Sequence, residues 1–276
     1  MQTIGLIAGN GLLPHLFADA AKSRGMRVVA VAHRGETDAR LAGKVDALEW
    51  VRVGQLGRIA RILRGFGARQ AVLAGGIGRV RAFTEFRPDL GAVKVVARLR
   101  SFGDDALLRA IAGYLEDEGV RIVAPTDFLP EVLAPEGLIA GSPPDAAQRR
   151  DIALGLRTAA LLGRADVGQT VVVKNGHVLA LEAVEGTDEA IRRGGRYGGA
   201  GACIVKLSKP GQDARFDLPA VGPGTIHVMS EVGATLLAVE AGRTVLLDAA
   251  GLVAAAQEGG VTVVGVDRVV DEPSGR

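Results

Sequence analysis

Between Lys206 and Thr225 the chain reads KLSKPGQDARFDLPAVGPGT, which sets Lys206, Lys209, Gln212, Asp213, Arg215 and Asp217 between two turn-forming pairs, Pro210-Gly211 and Pro223-Gly224. Proline and glycine at both ends keep a helix from running through, so the charge is concentrated in extended or looped chain. Extended chain alternates its side chains, which predicts Asp213, Arg215 and Asp217 on one face and Ala214 and Phe216 on the other. At about 3.3 Å per residue the two carboxylates would then lie about 13 Å apart, too far to share one metal ion. Either the chain bends or the two acids have different tasks. Acids interleaved with arginine and lysine between prolines and glycines suit an anionic ligand. The same residues also suit a solvated loop closed by an ion pair.

Two glycine loops offer a second kind of chemistry. The first, GNGLLP, places Gly9, Asn10, Gly11, Leu13 and Pro14 between an apolar run and a helical pattern. The dinucleotide fingerprint G-x-G-x-x-G needs a third glycine where this chain has Pro14, and an acid about 20 residues on where it has His33-Arg34-Gly35, so NAD is disfavoured. Backbone N–H groups at such a loop still bind phosphate or sugar hydroxyls; the alternative is that the glycines only make a tight turn. The second loop, AGGIGR, contributes Gly75, Gly76, Ile77 and Arg79 and is expected beside the first at the carboxyl edge of a parallel sheet, where ligands of such sheets bind. Neither loop ends in G-K-[ST], which excludes Walker-type phosphate binding.

Acidic pairs stand at two expected helix starts, Gly103-Asp104-Asp105 and Glu185-Gly186-Thr187-Asp188, with Thr187 the expected cap; each suits capping or a ligand. From Arg79 to Arg100 six cations face two anions with Phe83, Phe86, Leu90, Val93, Val96 and Leu99 interleaved, a surface for anionic lipid or phosphate, or else the solvated side of a core helix. His15, His33, His177 and His227 show no ligand spacing and Cys203 is alone, so any metal is expected to be a hard ion held by oxygen. No nucleophile elbow or triad is visible, and Cys203 reads as core.

The elements that would position these residues alternate. Thr3 to Ala8, Met26 to Ala32, Ala71 to Ala74 and Val120 to Ala124 read as strands, and the continuous apolar runs favour a parallel sheet. Residues 1–135 are expected to form a Rossmann-like parallel-sheet domain, 136–150 a proline-punctuated linker, and 151–276 a mixed α/β domain. That second domain holds a hairpin at Asn175-Gly176, a helix after Thr187, strands at Ala202 to Lys206 and Leu236 to Glu240, and a last strand at Val261 to Val266. A length of 276 residues accommodates two such domains, and 48% hydrophobic with 23% charged residues marks an ordinary globular chain. A net charge of +2 with one Trp and two Tyr gives no platform for nucleic acid. The start MQTIGLIAGN lacks the pattern of a signal peptide and no run approaches a membrane span, so a cytoplasmic setting is expected.

In order along the chain, AGNGLLP, AGGIGR, GDDALLR, VEGTDEAIRR and QDARFDLPAVGPGTI resemble the LpxI family of UDP-2,3-diacylglucosamine pyrophosphatases, from Ile4 to Val266. The resemblance implies two domains around a UDP-linked diacylated amino sugar, and a divalent ion, Mg²⁺ with Mn²⁺ as the alternative, that assists water in splitting the pyrophosphate. The products would be UMP and 2,3-diacylglucosamine 1-phosphate, lipid X, in lipid A biosynthesis. It implies that the essential aspartate of the R-x-D-L-P motif is Asp217, with Asp213 a looser match beside it as metal ligand or neighbour. Arg215 and Lys206 suit neutralisation of the developing oxygen charge. Substrate contacts are then expected at Gly9, Asn10, Gly11, Leu13, Pro14, Gly75, Gly76, Ile77, Arg79, Gly103, Asp104, Asp105, Thr187, Asp188, Gln212 and Thr225. A homodimer peripheral to the anionic inner membrane is the expected assembly. A non-catalytic sugar-nucleotide- or lipid-binding protein on the same fold and a nucleotide-dependent oxidoreductase are the alternatives. Loss of Asp217 would favour the first and a glycine at position 14 the second; the chain has neither.

Overall fold

The computed structural model describes residues 1–78, 86–99, 104–216 and 218–267. They fall into two compact units: Met1–Pro130 with residues 213–216, and Glu131–Gln212 with residues 218–267.

The first unit runs Thr3–Ala8 (β1), Leu13–Ser23 (α1), Arg27–His33 (β2), Ala47–Val51 (β3), Leu56–Gly65 (α2), Gln70–Ala74 (β4), Leu90–Arg98 (α3), Asp104–Asp117 (α4) and Arg121–Ile122 (β5). All neighbouring strands pair in parallel, in the order β3-β2-β1-β4-β5. The runs GLIA and VVAVA form strands because both sides of them are covered, which leaves no polar phase. Ile7, Val29 and Val31 join Leu56, Ile59, Ala60 and Leu63 of α2, Ala92 and Val95 of α3, and Leu115 of α4 in one core. The chain leaves β1 in one direction through α1 and β2, and returns from β3 past β1 to β4. The right-handed rule for both crossovers puts α1 and α2 on opposite faces and makes β1/β4 the point where strand order reverses. β3 escapes the sequence reading because ALEWV lies at the sheet edge with Glu49 exposed, so no continuous apolar run announces it. The strand expected at Val120 to Ala124 is only Arg121–Ile122, and it is fifth rather than fourth.

The second unit comprises Gly137–Ala140 (β6), Ala146–Arg164 (α5), Thr170–Lys174 (β7), His177–Leu181 (β8), Thr187–Gly198 (α6), Cys203–Lys206 (β9), Ala220–Val221 (β10), Pro223–Glu231 (α7), Leu236–Glu240 (β11), Val245–Leu246 (β12), Ala249–Glu258 (α8) and Thr262–Val266 (β13). Its main sheet has the order β6-β13-β11-β9-β7-β8. β9, β11 and β13 are parallel, while β7 and β6 pair antiparallel to β9 and β13. Alternation along each strand sorts the core into two layers. Val172, Ile204, Leu237 and Val263 pack with Ile191, Ile226, Met229 and Leu252 from α6, α7 and α8. Cys203, Val205, Leu236 and Ala238 pack with Ile152 of α5, and Val171, Val173 and Leu207 with Ala159 and Leu162 of the same helix. The β7–β8 hairpin turns at Asn175 and Gly176, with φ of 50° and 77°, the left-handed pair that a two-residue turn requires. Residues 136–150, expected as a linker, contain β6 and the capping box of α5, in which Gln148 N donates to Asp145 Oδ1 at 2.8 Å and Asp145 N to Gln148 Oε1 at 2.9 Å.

The fold is therefore α/β: a Rossmann-like parallel-sheet unit, and a mixed α/β unit carrying a β-hairpin.

Candidate functional site

At the carboxyl edge of the first sheet the two glycine loops lie against each other. Asn10 N donates to Gly76 O at 2.8 Å and Gly9 N to Ala74 O at 2.8 Å, while Gly76 N donates to Asn10 Oδ1 at 3.3 Å. A Cβ on Gly9 would stand 2.2 Å from Gly76 O, and one on Gly75 would stand 2.1 Å from Asn10 O with φ at +81°. Mutual contact of the loops thus accounts for Gly9 and Gly75 without a ligand. Gly11, at φ +86° with open space around its Cβ position, faces no such neighbour. Leu13 is half-buried and Pro14 buried in the first turn of α1, where a missing N–H leaves no helix bond unmade. Ile77 is half-buried beside them. Arg79 and Gly103 lie outside the described residues; Asp104 and Asp105 begin α4.

Sequence reasoning missed an acid at this edge. Asn10 Nδ2 donates to Glu36 Oε2 at 2.9 Å, so a carboxylate stands beside the glycine loops, one position beyond His33-Arg34-Gly35. His33 itself is buried with Nδ1 2.9 Å from Ala8 O, and burial lowers its pKa.

The segment holding Asp213 and Arg215 is not extended. Phe216 N donates to Asp213 O at 3.1 Å, which closes a turn over residues 213–216. The straight, alternating run expected through Asp213, Ala214, Arg215 and Phe216 therefore does not hold. The physical cause is in the same residues: the Arg215 backbone N and its Nε and Nη2 donate to Asp213 at 3.1, 3.0 and 2.8 Å. A side chain bonding two residues along competes with extended backbone. Arg215 also reaches Glu116 Oε1 from Nη1 at 2.8 Å and lies 5.4 Å over the Phe216 ring, which packs on the first unit's core. Arg109 Nη1 is 3.8 Å from Asp213 Oδ2. The Arg215 hydrogen bonds hold the Asp213 carboxyl below the usual carboxylate range, and Asp213 in turn raises Arg215. Asp217 lies outside the described residues.

In the second unit a buried polar cluster joins Lys206 to the start of α6. Lys206, 6% exposed at the end of β9, gives two of its three N–H bonds to Thr187 Oγ1 at 3.1 Å and Ala220 O at 3.0 Å. Thr187 does not cap the helix as expected. Gly186 is the cap residue, and the Thr187 hydroxyl donates to Glu182 Oε1 at 3.0 Å, with Thr170 Oγ1 3.4 Å away. Burial lowers the Lys206 pKa, opposed by the Glu182 and Asp188 carboxylates. Asp188 is exposed in the first helical turn. Glu182, missed from sequence, shares the buried phase of β8 with Ala180, two residues before it, and that alternation was the available signal.

The chain after Lys206 is held as firmly. Glu240, 2% exposed at the end of β11, accepts from Ser208 N at 2.8 Å and Ser208 Oγ at 2.5 Å, and Arg243 Nε donates to Ser208 Oγ at 3.0 Å. Gln212 is buried and closes the Pro210-Gly211 turn by accepting from Lys209 N at 2.9 Å. Thr225 sits in the first turn of α7, where its hydroxyl accepts from Gly222 N at 3.5 Å.

Among the described residues no three His, Cys, Asp or Glu side chains gather as metal ligands. Both oxygens of Asp213 accept from the Arg215 guanidinium. What the 213–216 turn offers chemically is a fixed guanidinium, and what the Lys206 cluster offers is a desolvated ammonium held by oriented oxygens.

The chain matches the family models of the LpxI N-terminal domain over residues 3–132 and the LpxI C-terminal domain over residues 135–264. It is 35% identical over 278 residues to UDP-2,3-diacylglucosamine pyrophosphatase LpxI of Caulobacter vibrioides, covering 97% of this chain and 98% of that protein. Among solved structures it is similar to the biotin carboxylase domain of a thermophilic 2-oxoglutarate carboxylase, at 18% identity and a TM-score of 0.29, over 70% of this chain and 32% of that one. It is also similar to N5-carboxyaminoimidazole ribonucleotide synthetase from Thermotoga maritima, at 14% identity and a TM-score of 0.25, over 67% of this chain and 42% of that one. The chain spans less than half the length of either, and so slight a likeness carries no argument. Coverage of both domains by the family models, and identity across almost the full length of the Caulobacter protein, decide the matter: this chain belongs to the LpxI family.

Proposed function

We propose that this protein hydrolyses the pyrophosphate bond of UDP-2,3-diacylglucosamine to UMP and 2,3-diacylglucosamine 1-phosphate, a step of lipid A biosynthesis. The observation that carries the proposal is 35% identity over 97% of the chain to a pyrophosphatase of that name. The motif Arg215-Phe216-Asp217-Leu218-Pro219 supports it from within the sequence.

Water must attack one phosphorus while the bridging oxygen leaves with the other, so negative charge grows on non-bridging and leaving oxygens. Asp217 is the proposed carboxylate at the reacting centre. Arg215 is the proposed anchor for a phosphate oxygen: its position is fixed in advance by Asp213 and Glu116, which removes the entropy of ordering it. The same pairing has a consequence for charge. Arg109 and Arg215 stand against Asp213 and Glu116, so these four side chains sum to zero and a pyrophosphate needs positive charge from elsewhere. That is the physical ground for proposing a divalent cation, Mg²⁺ or Mn²⁺, with Asp217 as its holder; such an ion supplies Lewis-acid stabilisation of phosphoryl oxygens and acidifies water. Mg²⁺ keeps several waters and needs only one or two carboxylates, so Asp213 is free to remain with Arg215. Lys206 is the proposed second cation, and the glycine loops with the first turn of α1 the proposed contacts for phosphate or sugar hydroxyls.

Incubating the purified protein with UDP-2,3-diacylglucosamine and Mg²⁺ tests the proposal. UMP and the sugar 1-phosphate are expected in equal amounts, and EDTA is expected to stop their formation. Absence of UMP with intact substrate would remove the hydrolase reading, and full turnover in EDTA would remove the cation.

A further inference from the structure

Helix α3 is apolar on the wrong side for a core helix. Its buried residues are Gly91, Ala92 and Val95, while Leu90, Val93 and Val96 are 81%, 56% and 50% exposed. At about 100° per residue, Leu90, Val93, Lys94 and Ala97 fall on the arc opposite the buried one. An ordinary surface helix turns its largest apolar side chains inward, and several exposed together mark an interaction surface. Phe86, 42% exposed, precedes the helix. Within residues 86–99 cations outnumber acids. Residues 86–99 contain Arg87, Lys94 and Arg98, and their single acid, Asp89, accepts from the backbone N of Ala92 and Arg58 at the start of the helix. Arg98 pairs with Asp117 on α4, and Lys94 lies on the outward arc.

We infer that the outward face of α3 docks on an anionic lipid bilayer, with Leu90, Val93 and Val96 entering the headgroup boundary and Lys94 and Arg87 at the phosphates. Exposed aliphatic side chains with a basic flank are the composition that binds there. The choice of a bilayer rests on the hydrolase reading, since a diacylated substrate resides in one. Among the described residues no helix is long and apolar enough to cross a membrane, so attachment through such a face is the interfacial kind.

Flotation of the full chain with vesicles of phosphatidylglycerol and phosphatidylcholine, against phosphatidylcholine alone, reads this without turnover. The protein is expected to float with the anionic vesicles and less so as salt rises. Leu90→Ser combined with Val93→Ser is expected to weaken partition about tenfold or more, since each aliphatic side chain withdrawn from water is worth roughly that. Lys94→Glu is expected to weaken it about fivefold or more on anionic vesicles only. Both variants are expected to keep the wild-type melting temperature and their UMP release from a detergent-dispersed substrate. Equal flotation of variants and wild type, or none by either, would overturn the inference. So would a fall in molar mass of the serine variant without any loss of vesicle binding, which would make the face a contact between copies. Flotation without UMP formation would instead remove the hydrolase reading and leave the docking face standing.

Discussion

Asp213 and Arg215 show how a pair of charges reads differently once its geometry is known. The carboxylate is bonded three ways by one arginine, and its lowered pKa is a statement about stability. The folded value lies below the unfolded one of about 3.9, so the contribution is fully present above that pH and is lost as pH falls through the folded value. Asp213→Asn is therefore expected to lower stability by about 1 kcal/mol at pH 7, the worth of a charged hydrogen bond discounted for partial exposure. Thermal melts should show that difference shrinking toward nothing in the most acidic buffers; a difference that persists unchanged would mean the pairing is not its source. The turn was not legible because the sequence states which charges are near in the chain, not that an arginine folds back on the acid two residues before it. Glu36 and Glu182 were hidden for a related reason. Each sits outside any motif, and only burial and its partners, Asn10 and Thr187, distinguish it from a surface acid.

At the scale of elements, the glycine loops separate packing from binding. Gly75 combines φ of +81° with a Cβ position 2.1 Å from a backbone oxygen, whereas Gly11 has φ of +86° and empty space. Gly75→Ala is expected to cost about 2–4 kcal/mol from strain and forced separation of the loops, against about 1 kcal/mol for Gly11→Ala. Urea unfolding of the two variants decides it; equal losses would mean that loop contact is not what the glycines serve. Strands with unmixed patterns were legible: the run to Ala8 and the Asn175-Gly176 hairpin both stand where the residues put them. β3 was not, because an edge strand of mixed polarity resembles loop, and β6 was not, because its four residues sit between Pro135 and Pro143-Pro144 in a stretch that reads as linker.

The described residues form two large sheets and the two-stranded pair β10-β12, and each large sheet has parallel strands whose carboxyl ends carry the candidate groups: the glycine loops and Glu36 on one, Lys206, Ser208 and Glu240 on the other. The alternation that gives a parallel sheet was legible throughout, while the strand order that brings the ends of β1 and β4 together was legible only through the expectation that ligands gather there. Membership of the LpxI family makes the reaction at a pyrophosphate the central claim, and Asp217 its most exposed point. Single-turnover release of UMP from UDP-2,3-diacylglucosamine with Mg²⁺, by the native protein and by Asp217→Ala, tests it most directly. A carboxylate acting mainly in the transition state predicts a fall of roughly 10³-fold, about 4 kcal/mol, with substrate binding little changed and the melting temperature retained. Near-native turnover by Asp217→Ala, or no UMP from the native protein, would contradict it.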